Sequence, residues 1–121
     1  MSINLRVTSE MQIHDDVAMD DLKARVATLA ESTAAEGDHI LGHNYYVDEA
    51  QRVLFVHEHY TDSAAMLRHF SEMDQDLVGH MLSAVDVLDL RLYGPASPEL
   101  KELLGAYGTP RYFDFVSGFT H

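Results

Sequence analysis

Between Val53 and Met73 the sequence VLFVHEHYTDSAAMLRHFSEM changes its hydrophobic period from two to that of a helix within a few residues. That switch restricts the chain to folds in which a strand runs directly into a helix. Leu54, Val56, Glu58 and Tyr60 share one strand face, and Phe55, His57 and His59 share the other. Thr61, Asp62 and Ser63 then supply short side-chain oxygens able to accept from the first free N–H groups of a helix. The alanines with Met66, Leu67 and Phe70 continue at three- and four-residue spacing. His69 falls on that helix, so three histidines, one glutamate and one tyrosine gather at a single strand-to-helix junction.

The same two periods order the rest of the chain. Ile3, Leu5, Val7, Ser9, Met11 and Ile13 alternate with polar residues and predict a long half-apolar strand, whose polar even face is expected to meet solvent; the alternative is a cavity enclosed where two sheets meet, which Arg6 and Glu10 would suit. Leu22, Val26, Leu29 and Ala30 predict a helix from Val17 to about Ala35, stopped by Gly37. HILGHNYYVD, His39 to Asp48, reads as a second strand, turning through DEAQ into the Val53 strand to make a hairpin. His39, Leu41, His43, Tyr45 and Val47 share one face of it. Helical spacing continues past His69 at Phe70, Met73 and Leu77, as one helix or two short ones, with Gly79 as the expected break. Ser83 to Tyr93 is rich in Val and Leu and suits a strand buried on both faces. Ser97 and Pro98 start a short helix, and Arg111 to Phe119 predicts a fifth strand, expected to lie along the sheet edge of a partner copy because its phenylalanines need burial. The order βαββαβ gives an α+β class of ferredoxin-like topology, a four-stranded antiparallel sheet with both helices on one face. One domain is expected, with a core over residues 1–94 and a helix-strand extension over 95–121.

At 121 residues and 46% hydrophobic content the chain can build one core but not two ordinary domains. The absence of cysteine excludes disulfides, thiolate ligands and a cysteine nucleophile. A net charge of −12 disfavours nucleic acid and anionic membranes as partners. No apolar run approaches the ~20 residues of a membrane span, and MSINLRVTSE lacks the regions of a signal peptide, so the expected location is the cytoplasm. The eight histidines are the informative excess, because imidazole can bind metal or move a proton near neutral pH.

Leu54, Val56, Glu58, Tyr60, Asp62, Ala64 or Ala65 and His69 together resemble the strand-to-helix motif of the antibiotic biosynthesis monooxygenase superfamily, and the order of elements agrees over most of the first 94 residues. The resemblance implies a dimeric α+β barrel, in which two ferredoxin-like sheets pair, and a homodimer as the working unit. It implies a cavity for a quinol or an aromatic polyketide-like ring, oxidised without a cofactor because the substrate's own anion activates oxygen. It also implies that His69 borders the cavity, and that His80, about three turns on, stands where haem-degrading members carry a second histidine.

Candidate catalytic residues are His69, His57 and Tyr60; candidate ligand-contacting residues are His43, Tyr45, Glu58, His59 and His80. A histidine would accept a phenolic proton while dry apolar walls protect the anion. His57 and His59 form HxH on a strand, which aims two imidazoles the same way, but no metal is expected: cysteine is lacking and Glu58 alternates to the opposite face. The expected partner is a small aromatic or hydrophobic ligand. A non-catalytic dimeric binding or stress-related protein of the same fold, or a histidine-metal protein, is the alternative.

Overall fold

The computed structural model describes residues 4–121, so Ile3 of the expected first strand lies outside the described residues. The elements are β1 (Leu5–Ile13), α1 (Met19–Ala34), β2 (Ile40–Asp48), β3 (Val53–Tyr60), α2 (Ser63–Glu72), α3 (Gln75–Leu82), β4 (Val85–Tyr93), α4 (Pro98–Leu104) and β5 (Arg111–Phe113). The sheet order is β2-β3-β1-β4-β5; the first four strands are antiparallel, and β5 joins β4 in parallel. This is the ferredoxin-like α+β arrangement, extended by one helix and one strand. Among the described residues no helix is long and apolar enough to cross a membrane.

Short polar side chains start the later helices as their sequences require. Asp62 accepts from the Ala65 N–H at 2.9 Å and starts α2; Asp74 accepts from the N–H groups of Asp76 and Leu77 and starts α3. The interruption after α2 therefore falls at Met73–Asp74, and Gly79, the expected break, lies inside α3. A cap that satisfies two free N–H groups begins a helix more strongly than one glycine ends it. Ser97 caps α4, with Pro98 in its first turn.

Alternation decides which side of the sheet is covered. Leu5, Val7, Ser9 and Ile13 of β1 and Leu54, Val56 and Tyr60 of β3 are buried under the helices. Two apolar clusters form there. Leu5, Val7, Tyr60, Met66, Leu92, Leu100 and Leu104 make one, and Ile13, Leu22, Leu29, Leu54, Val56, Met81 and Val85 the other. The opposite sheet face, with Arg6, Tyr46, Phe55, His57, Arg91, Tyr93 and Phe113, carries no helix.

Two expectations about strands are corrected. β4 is buried at Val85 and Leu92, but Leu88 is 56% exposed, because the register of β1 with β4 shifts at Glu10/Met11 and leaves residue 88 without a partner. The fifth strand is three residues long and lies in its own sheet, Arg91, Leu92 and Tyr93 pairing with Arg111, Tyr112 and Phe113. It fills the free edge of β4 in the same chain. Tyr112 turns to the helix face and packs on the first cluster, and Tyr93 stacks on Phe113 at 5.3 Å.

A candidate acid–base site between sheet and helices

Between the two apolar clusters the helices stand off the sheet and leave a cavity of about 140 Å³. Its walls are mainly apolar: Met11, Met66, Met73 and Met81, with Leu29, Val56, Phe70 and Leu104. Ser9, Thr33, His43, Tyr45, Glu58 and His69 supply the polar atoms. Leu82, Val87 and Tyr107 are the partly exposed lining residues, which puts the mouth where the end of α3 meets β4 and the turn after α4. Roughly this volume holds a single benzene-sized ring.

Register assembles the polar wall. His43 of β2 stands opposite Glu58 of β3, so the two share the helix face, and His43 Nε2 lies 3.2 Å from Glu58 Oε1. The Tyr60 hydroxyl donates to the same carboxylate. From above, α2 brings in His69, which is 6% exposed and whose ring lies 5.5 Å from that of His43 and 5.9 Å from that of Tyr60. Its Nδ1 is 2.9 Å from both oxygens of Glu36, the residue that follows the end of α1 by two positions. A carboxylate can only accept, so Nδ1 carries the hydrogen and Nε2 is the free nitrogen.

The electrostatics follow from this packing. Burial alone would lower the His43 imidazole, but the charge and hydrogen bond of Glu58, with Glu36 behind, outweigh it and hold His43 above its ordinary value of 6.5. Burial would raise Glu58; the charge and hydrogen bond of His43 and the hydrogen bond from the Tyr60 hydroxyl outweigh it and hold Glu58 below its ordinary 4.5. The two form a buried ion pair. Tyr60 and Tyr45 are pushed above the ordinary phenol range, by burial first and by the Glu58 charge second, and so remain hydrogen donors.

Of the residues singled out in the sequence, His43, Tyr45, Glu58 and His69 meet at the cavity. Tyr60, expected as catalytic, is fully buried behind Glu58 and positions its carboxylate rather than lining the space. His57 and His59 do not belong to this group. They pair with Thr8 and Arg6 and project from the helix-free face, where burial and the Arg6 charge lower the His59 imidazole. His80 is exposed on α3, and its carbonyl accepts from Arg25. Glu36 went unseen in the sequence, because a glutamate in a loop beside Gly37 belongs to no period; only the methionine content hinted at the walls.

Among the described residues two groups could hold a metal ion. One ring nitrogen each of His43 and His69 and an oxygen of Glu58 lie within 4.8 Å of one another, as do ligand atoms of Glu36, His39 and Glu72.

The chain shares its fold with solved structures that include proteins named as antibiotic biosynthesis monooxygenases. Its solved neighbours include MupZ from Pseudomonas fluorescens, 20% identical with a TM-score of 0.79 over 98% of this chain and 94% of that one. A putative antibiotic biosynthesis monooxygenase from Chloroflexus aurantiacus is 12% identical, with a TM-score of 0.61 over 78% of this chain and 95% of that one. SnoaB from Streptomyces nogalater, described as a cofactor-independent oxygenase, is 12% identical with a TM-score of 0.61 over 78% and 94%. Matching 98% of this chain requires the C-terminal extension, so MupZ shares it. No protein-family model matches the sequence, and no curated protein does.

Proposed function

We propose that the cavity binds a ring-sized aromatic or hydrophobic molecule, a quinol or an aromatic polyketide-like ring, and oxidises it with dioxygen without a cofactor. The observation that carries this reading is the pair of imidazole–carboxylate couples, His69–Glu36 and His43–Glu58, on one wall of an otherwise apolar cavity. Such couples orient a base and stabilise the charge it acquires. The likeness in fold to SnoaB supports the class of reaction.

His69 Nε2 takes the acidic proton of the bound ring, and Glu36 holds the ring of His69 in the required tautomer. Protonated His43, fixed by Glu58, faces the developing oxyanion as a charged donor. The methionine and leucine walls keep water from the anion. For a ring methylene activated by a carbonyl, the anion adds dioxygen at carbon, the peroxide receives the proton from His69, and loss of the remaining C–H proton forms the ketone as the oxygen–oxygen bond breaks and hydroxide leaves with that proton as water. In sum, one methylene and one dioxygen become one ketone and one water, with all four electrons drawn from the substrate.

The assembly proposed is a homodimer, sheet on sheet. The helix-free face carries Tyr46 at 54% and Phe113 at 40% exposure, and the tail adds Phe115, Val116 and Phe119 at 51%, 92% and 82%, more apolar surface than a monomer ordinarily leaves open. A second copy would cover it.

Oxygen uptake with single-ring hydroquinones and phenols, measured on chelator-treated protein, tests the reading. Uptake that follows the wild-type cavity supports it. Tight binding without turnover would make the protein a binding module, and turnover restored only by a metal held through His43, Glu58 and His69 would replace the mechanism.

A further inference from the structure

The loop between α1 and β2 carries His39, whose side chain is 9% exposed and whose two ring nitrogens both lack a hydrogen-bond partner. Among the described residues no other histidine has both nitrogens buried and unpartnered. A buried imidazole with neither its hydrogen nor its lone pair satisfied is costly unless something else occupies the place. Nε2 faces Glu72 Oε1 at 3.9 Å, beyond hydrogen-bond distance, and a Glu36 oxygen completes a group in which all three ligand atoms lie within 4.8 Å. Gly37, with φ +135°, curls the loop so that His39 Nδ1 can sit against it; a Cβ there would stand 3.2 Å from that nitrogen.

We propose that Glu36, His39 and Glu72 bind one divalent transition-metal ion of the zinc class, outside the cavity. One imidazole and two carboxylates are a donor set such ions accept, with water at the remaining position. Tetrahedral ligands at about 2.1 Å from zinc stand roughly 3.4 Å apart, so the half-exposed Glu72 side chain closes the site by a small inward turn. The backbone adds to the attraction. Glu72 is the last residue of α2, and Glu36 lies just past the end of α1, whose last turn carries no basic residue, so two helix C-termini direct their negative ends here. The competing cation is Arg68, whose Nε donates to Glu72 at 2.7 and 3.2 Å; this exposed pair, one helical turn apart, is a weak tether.

Glu36 joins this site to the other, since both its oxygens accept from His69 Nδ1. An ion on Glu36 would draw those oxygens off the His69 N–H and loosen the orientation of that ring. This consequence, unlike the site, rests on the role proposed for His69.

The test is calorimetric titration of chelator-treated protein with zinc, with circular dichroism to verify the fold of each variant. One ion per chain is expected. His39→Ala and the milder Glu72→Gln should weaken binding by roughly tenfold or more, Arg68→Ala should strengthen it, and His43→Ala should leave it unchanged. Absence of binding, binding that survives His39→Ala, or binding lost with His43→Ala would overturn the assignment. None of these readouts depends on oxygen uptake, so the site can fail while the oxygenase reading stands, and the reverse.

Discussion

The His43–Glu58 pair is the residue-scale feature with the clearest physical consequence. His43 is raised above 6.5, so its contribution to stability is complete below that value and is lost as pH rises through the folded-state value. Glu58 is lowered below 4.5, so its contribution is complete above 4.5 and is lost as pH falls through the folded-state value. Both are therefore whole between pH 4.5 and 6.5, and denaturant midpoints should peak in that window and decline on either side. Glu58→Gln should flatten both flanks; an unchanged profile in that variant would show that other groups set it. Only part of this pair is legible in the sequence. Strand parity separates Glu58 from His57 and His59, but parity alone does not say which face meets the helices. The burial of Leu54 and Val56 in the structure settles it and places His57 on the helix-free face. Glu36 is not legible, because its contact with His69 joins residues 33 apart through a loop.

At the scale of elements, the short path from β3 into α2 is what delivers His69 to its own preceding strand, and that much follows from the sequence alone. The pairing of His43 with Glu58 does not, since a shift of one residue in the hairpin would turn His43 outward. Asp62 fixes the entry into α2, and Asp62→Ala should cost about 1 kcal/mol of stability in urea unfolding. At the end of β4, Gly94 has φ +110° and a Cβ there would lie 2.8 Å from the Asn4 carbonyl oxygen. Gly94→Ala should destabilise the chain by about 1–3 kcal/mol, because that backbone cannot move without disturbing β1. The alternation runs on through Phe115 and Phe119 and so predicts a longer β5, yet the pairing stops at Phe113.

For the whole molecule, the topology and the two-sided sheet are written in the alternation of periods, while the cavity expected between two sheets lies instead between sheet and helices of one chain. The helix-free face is thereby left for a partner. A homodimer should appear in sedimentation at micromolar concentration, burying more than ~2,000 Å² in total. Removal of residues after Gly108 should weaken it, since this takes away Phe113 and the exposed Phe115, Val116 and Phe119. A stable monomer at that concentration would contradict the sheet-on-sheet assembly. In the proposed reaction His69, oriented by Glu36, moves the substrate proton in a cavity of one-ring size. The most direct test of this role is the rate of oxygen consumption with a quinol, on chelator-treated protein, for wild type and His69→Ala of equal thermal stability. Turnover is expected in wild type, with a loss of about 10²- to 10⁴-fold in the variant; equal rates in the two would rule out this role for His69.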